Sequence, residues 1–168
     1  MINTPSWGRR RAFTTIELMI VVTIIGIVSA LARPAFLQVL LSVRSNALMN
    51  DFRVFSAGFA QYAQTNGAYP ASYTKAGGFP PTMQGLINQT QWKRRSPIGG
   101  NYAFLKDNSI RGVRYRALLR VSGSGAAKIT LTSAQLLRLD RKSDNGNLAT
   151  GQFFTNGAAL NTYYVIEQ

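Results

Sequence analysis

The sequence predicts an α+β protein in which one long N-terminal helix packs on a small antiparallel β-sheet. Two observations predict this class: a helical pattern of apolar residues over residues 13–66, and short strand-like runs separated by turn signals in the C-terminal third. We expect four segments: a basic leader at residues 1–12, a transmembrane half-helix at 13–33, an amphipathic half-helix at 34–66, and a head domain at 67–168.

The first part of the predicted helix has the composition of a membrane span. Residues 13–32 are twenty mostly apolar residues with a single charge, Glu17. As a helix they are about 30 Å long, the thickness of a bilayer core. Arg9, Arg10 and Arg11 precede the span, so we expect a cytoplasmic N-terminus and a head on the far side of the membrane.

A secretory signal peptide is the alternative interpretation of this segment. Residues 18–28 are an apolar run of suitable length, and Ala30, Leu31 and Ala32 have the form of a cleavage site. Against it, Glu17 lies at the start of the apolar core, and the apolar pattern continues beyond Ala32.

The second part of the helix is amphipathic. Its apolar residues recur every three, four or seven positions and so share one face. They are Leu37, Leu41, Leu48, Phe52, Phe55, Phe59 and Tyr62. Asn66 and Gly67, with Pro70 beyond, predict the helix end. Pro34 removes one backbone hydrogen bond, so we expect a kink or a local opening there.

Glu17 calls for an explanation, since a carboxylate within an apolar span is energetically unfavourable and normally has a partner. Residues 13–32 contain no cation. Removal of the leader before Phe13 would create an α-amino group four residues away, able to pair with Glu17 of the same or a neighbouring chain. Alternatively, Glu17 lies at headgroup level, where the helix dipole favours a negative charge.

The run AFTTIELMIVV, from Ala12 to Val22, resembles the processing site of type IV pilins and of the pseudopilins of type II secretion systems. The resemblance covers about the first fifty residues. It implies that a prepilin peptidase cleaves between Ala12 and Phe13 and methylates the new amino group of Phe13. It also implies assembly roles for Glu17 and Pro34. Ala12 departs from the family pattern, which usually has Gly before the cut.

The same resemblance implies a structural subunit of a pilus-like filament, either a type II secretion pseudopilin or a type IV pilin. Modest size and the absence of Cys favour the pseudopilin. The implied partners are prepilin peptidase, other subunits in a homopolymer or hetero-filament, and an inner-membrane assembly platform. The precursor is expected to cross the bacterial inner membrane once with a periplasmic head, and to join an extracytoplasmic filament after assembly.

The head pattern predicts an irregular connection over residues 67–101 with a short helix near 82–88. Alternation at residues 113–121 predicts a strand, and residues 127–131 its partner after a turn at 122–125. A short helix capped by Thr132 or Ser133 should follow. Two further strands are expected near residues 152–155 and 162–166, with Asn156 and Gly157 between them.

The residue inventory argues against an enzyme. The chain has no Cys, no His and only six Asp and Glu, which excludes the usual zinc ligands and nucleophile–base pairs and leaves few carboxylate pairs. No cofactor is expected. Asp140 and Asp144, with Asn145 and Asn147, are weak candidates for a calcium site, and a metal-free Asp/Asn turn is favoured.

The formal charge of +13 predicts attraction to an acidic partner. Alternation predicts that three arginines share one side of the strand at 113–121, and three further cations follow Trp92. These six candidate nucleic-acid contacts are Arg114, Arg116, Arg120, Lys93, Arg94 and Arg95. They make a DNA-binding minor pilin of an uptake system the alternative function. A solvated basic surface, or a docking surface for acidic neighbours, is the simpler interpretation.

Overall fold

A computed structural model describes residues 13–123, 127–157 and 161–168. These residues form three α-helices, α1 to α3, one short 3₁₀ helix and four strands, β1 to β4. The helices are α1 (Thr15–Asn66), α2 (Gln89–Lys93) and α3 (Ser133–Ser143), and the 3₁₀ helix is Pro81–Met83. The strands are β1 (Asn101–Ile110), β2 (Val113–Ser122), β3 (Phe153–Asn156) and β4 (Asn161–Glu167). The predicted α+β, pilin-like class is confirmed.

The chain separates into two compact units, one ending at Leu40 and the other running from Leu41 to Gln168. The first unit consists, in its described part, of the N-terminal portion of α1. The helical backbone continues without a break through Pro34, so the predicted local opening is absent. Proline tolerates helical φ, although inside a helix it removes one backbone hydrogen bond and crowds the carbonyl one turn earlier.

In the second unit, one face of α1 forms the centre of the core. Leu48, Phe52, Phe55 and Phe59 are completely buried, at spacings of four, three and four residues. The ring of Phe59 stacks on that of Phe104 in β1, with centroids 4.0 Å apart. The predicted apolar face is therefore confirmed along this part of the helix.

A buried carboxylate also ties α1 to the head. Asp51 is 1% exposed and accepts a 2.5 Å hydrogen bond from the Tyr102 hydroxyl and a 2.6 Å bond from Gln91 Nε2. The Arg94 guanidinium donates to both carboxylate oxygens, at 2.9 and 3.0 Å. Burial and the Asp51 hydrogen bond raise the pKa of Tyr102, so this hydroxyl remains a donor.

The four strands form one antiparallel sheet in the order β1-β2-β4-β3. The partner predicted for β2 at residues 127–131 is wrong, because β1 and β4 occupy both edges of β2. Arg111 and Gly112, both with positive φ, make the tight turn that joins β1 to β2. The predicted strands near 152–155 and 162–166 are confirmed as β3 and β4.

Loops bond to both outer strands of this sheet. On β1, the Phe104 N–H donates to Tyr73 O and the Lys106 N–H to Ser72 Oγ. On β3, the N–H groups of Phe153 and Thr155 donate to acceptors in the preceding loop, Asp144 Oδ2 and Leu148 O.

Strands β1 and β2 change faces partway along their length. Ala117, Leu119 and Val121 face the α1 core, whereas Tyr115 packs with Leu118 in a second apolar cluster. The register of β2 against β4 shifts between Ala117 and Leu118, and Asp107 in β1 has a φ of 48°. The single alternation predicted for residues 113–121 is therefore interrupted.

The connection between α1 and β1 contains two short helices rather than one. The helix predicted near residues 82–88 is misplaced, because Gly85 adopts a φ of 84° and Asn88 starts α2 by accepting a hydrogen bond from Gln91 N. The predicted cap of α3 is confirmed at Thr132, which forms a reciprocal capping box with Gln135.

Candidate functional site

The candidate site is the beginning of α1, where the sequence nominates Phe13 and Glu17. Thr14 and Glu17 form a capping box: Glu17 Oε2 accepts bonds of 2.9 Å from both the backbone N–H and the hydroxyl of Thr14. The Glu17 N–H donates back to Thr14 Oγ1 at 3.3 Å. Glu17 Oε1 takes no part in these bonds. The spacing Thr-x-x-Glu ahead of an apolar run is a sequence signature of this cap, and the prediction of the helix start did not use it.

The residues nominated for processing lie at the edge of the described chain. Ala12 lies outside the described residues. The side chain of Phe13 is 80% exposed, and the helix begins two residues later. The described part of the chain therefore leaves Phe13 uncovered.

Beyond the cap, α1 exposes apolar side chains on all sides. Large apolar residues between Ile16 and Leu31 are 49–72% exposed. The most apolar window has a mean hydropathy of 2.3, and none of it is buried. The helix is thus long and apolar enough to cross a membrane. A signal sequence meets the same two criteria, so the helix alone does not identify the function.

The six basic residues nominated for nucleic-acid contact are not gathered in one hollow. Lys93, Arg95 and Arg116 line three separate hollows, and Arg94 is held by Asp51. The other two residues, Arg114 and Arg120, lie on β2.

The prediction that the three β2 arginines share one side of the sheet is wrong, because Arg116 and Arg120 lie on opposite sides. Arg116 forms an ion pair with Glu167 in a hollow that also includes Ala60 of α1. Arg120 lies opposite Tyr163, a member of the second cluster, on the other side of the sheet. The change of faces within β2 accounts for this separation.

The calcium candidates sit at the end of α3. Asp140 is completely buried, and neither carboxylate oxygen has a hydrogen-bond partner within the described chain. Burial, and secondarily the charge of Asp144, raise the pKa of Asp140. The backbone N–H groups of Asn147 and Gly146 act in the opposite direction and lower this pKa. A proton on the carboxylate, or a cation beside it, would relieve the remaining cost of burial.

The side-chain oxygens around Asp140 are poorly suited to bind a calcium ion. Asp144 Oδ2 accepts from Phe153 N, and the side-chain oxygens of Asn145 and Asn147 accept from nearby backbone N–H groups. Ca²⁺ takes six to eight oxygen ligands. The described residues contain no group of three or more His, Cys, Asp or Glu suited to a metal ion.

Comparison with known proteins identifies the N-terminal segment. Residues 7–32 match the family model described as the prokaryotic N-terminal methylation motif. No curated protein and no solved structure matches the chain significantly. The matched segment contains Ala12, Phe13 and Glu17, and it includes α1 up to residue 32. The chain therefore carries the prepilin-type methylation motif of type IV pilins and pseudopilins, on a pilin-like α+β fold, which points to a structural subunit rather than an enzyme.

Proposed function

We propose that the chain is a filament subunit of a type II secretion system or a type IV pilus, polymerised through the first half of α1. The observation that carries this proposal is the methylation motif at the start of a helix whose apolar surface is uncovered in the monomer. A helix that is apolar all round needs lipid or other helices around it. Lipid covers it in the precursor, and neighbouring copies of the helix cover it in the filament.

Glu17 supplies a polar contact when the helix leaves lipid and packs against neighbouring helices. Within one chain its Oε2 caps the helix, and Oε1 is left for a second donor. We infer that the donor is the methylated amino group of Phe13 in an adjacent subunit. A buried carboxylate is tolerated only when it is paired and hydrogen-bonded, so this pairing also selects a register between helices.

The first test is N-terminal sequencing with intact-mass measurement on protein purified from membranes. We expect a chain that starts at Phe13 and carries an added methyl group. A chain that starts at Arg33 would indicate cleavage after Ala32 by signal peptidase, and both the filament role and the pairing would then be discarded with the leader.

The second test separates the two roles of Glu17. Glu17→Gln keeps a side-chain acceptor for the helix cap but removes the charge, whereas Thr14→Ala weakens the cap and keeps the charge. We expect the Gln variant to be inserted and cleaved but absent from sheared filaments. The Ala variant should still be incorporated. Normal incorporation of Glu17→Gln would show that the charge pair is not used.

The alternative, a DNA-binding minor pilin, draws on the basic composition of the chain. Its supporting observation is that Lys93, Arg95 and Arg114 are exposed. A gel shift of the full chain with duplex DNA at increasing salt tests it. Loss of the shift in the triple variant to Gln would support the alternative, and absence of any shift at low salt would remove it.

A further inference from the structure

Three cations converge on one hollow of the head. The hollow has a volume of about 560 Å³ and is lined by Arg44 of α1, Arg95 after α2, and Lys128 after β2. All three residues are exposed, and no carboxylate is among the lining residues. The sequence pattern groups Arg95 with its neighbours Lys93 and Arg94. Only the fold brings it beside Arg44 and Lys128, which are 51 and 33 residues away.

The backbone that carries two of these cations is firmly held. The Thr130 N–H and hydroxyl both donate to Ile98 O, at 2.8 and 3.0 Å, and Ile98 is completely buried. Gly99, with a φ of 84°, packs against the backbone of Lys128 so closely that a Cβ would meet the Lys128 carbonyl carbon at 3.2 Å. The turn after Arg95 is therefore fixed against the segment that begins at Lys128.

The chain itself has few carboxylates with which to occupy this hollow. Residues 41–168 contain fifteen Lys and Arg but five Asp and Glu. Asp51 and Asp140 are buried, Glu167 pairs with Arg116, and Asp144 accepts from Phe153 N. That leaves Asp107 as the exposed carboxylate with no role so far described. A second copy of the chain is consequently a poor source of the missing negative charge.

We propose that the hollow formed by Arg44, Arg95 and Lys128 binds a phosphate group, a site independent of filament assembly. Guanidinium groups match the oxygens of phosphate with paired hydrogen bonds, and an ammonium group adds a point charge. A single carboxylate offers one charge and two oxygens, which is too little for three cations. A phosphate with more than one charge, or two neighbouring phosphodiesters of a nucleic acid, satisfies all three.

The test uses the full chain in a non-ionic detergent with two probes, a fluorescent single-stranded oligonucleotide and inorganic pyrophosphate. The test variant is the triple change Arg44→Gln, Arg95→Gln and Lys128→Gln. A matched control removes three exposed cations elsewhere, through Lys75→Gln, Arg138→Gln and Arg141→Gln. Both variants lower the net charge by the same amount, and thermal melting verifies that both are folded.

We expect the test variant to bind the oligonucleotide at least about tenfold more weakly at moderate salt, and the control to change much less. The slope of log affinity against log salt should fall by about 1.4, the value for two phosphates of a single strand. Pyrophosphate should compete with the oligonucleotide on the unmodified chain.

The two probes distinguish the source of the phosphate. Binding of pyrophosphate that depends on the hollow, without hollow-dependent binding of the oligonucleotide, assigns the site to free phosphates. Equal losses in the test and control variants would overturn the proposal, because binding would then follow net charge. Failure of the unmodified chain to bind either probe would overturn it as well.

Discussion

The buried carboxylate of Asp51 makes a quantitative prediction about the head. Asp51→Ala removes the acceptor for Tyr102, Gln91 and Arg94. Arg94 is half exposed, so water can replace Asp51 as its partner. Losing this ion pair therefore lowers the free energy of unfolding only slightly. Tyr102 is 2% exposed, and its hydroxyl is left buried without an acceptor. A buried polar group left without a partner costs about 1–3 kcal/mol, so the free energy of unfolding should fall by about that amount.

Urea unfolding of the full chain in detergent measures this value. Trp92 reports on the site, because its ring lies 5.8 Å from that of Tyr102, centroid to centroid. Tyr102→Phe should lower the free energy of unfolding by about 1.5–3 kcal/mol, the contribution of one hydrogen bond to a charged group. The double variant should lose less than the sum of the two single variants, because both remove the same bond.

Two results would refute this reasoning. If Asp51→Ala lowers the free energy of unfolding by less than about 1 kcal/mol, the network contributes no more than a surface ion pair. If the effects of Asp51→Ala and Tyr102→Phe simply add, the bond between them does not contribute to stability. In either case the attachment of α1 to the head would rest mainly on its buried apolar face.

The remaining predictions concern packing and one titrating group. Phe59→Ala should lower the free energy of unfolding by about 3–5 kcal/mol in urea, since this fully buried ring stacks on Phe104. Gly58→Ala should lower it by about 1–3 kcal/mol, because a Cβ would contact Ile87 Cγ2 and lie 3.2 Å from Leu86 O; an unchanged melting temperature would contradict this. The raised pKa of Asp140 means that the folded state holds its proton more tightly than the unfolded state, so stability should fall as pH rises above about 4. Asp140→Asn should flatten that part of the pH profile and stabilise the head near neutral pH; a destabilised variant would show that the carboxylate is charged and paired. Millimolar Ca²⁺ should leave the melting temperature unchanged. A rise in melting temperature that is lost in Asp140→Asn would establish a cation site.

Sequence patterns predicted the elements whose residues carry local signals. The amphipathic face of α1 has a clear helical period, and Thr132 has the side chain of an N-cap ahead of α3. Strand β1 was missed because Tyr102 to Leu105 are all buried and do not alternate, so the run lacks the period of a half-buried strand. The Arg111 turn lacks the usual Asn-Gly or Asp-Gly pair, so nothing in the sequence pointed to a β1–β2 hairpin.

The functional residues also divide into those with a local sequence signal and those without one. The motif that includes Phe13 and Glu17 is local, and sequence alone located it. The contact between Asp51 and Arg94 joins residues 43 positions apart, and the hollow lined by Arg44 and Lys128 depends on packing between separate segments. No pattern within a short window records such contacts. Only a folded structure shows which cations are already paired and which are left for a partner.

The loop bonds on both outer strands restrict how heads can meet. A sheet with free edges invites another strand to add to it, which leads to uncontrolled aggregation. Here Tyr73 and Ser72 accept from β1, while Asp144 and Leu148 accept from β3. In the proposed filament, these bonds would hinder heads at high local concentration from joining edge to edge. Contacts between subunits would then be left to their helices.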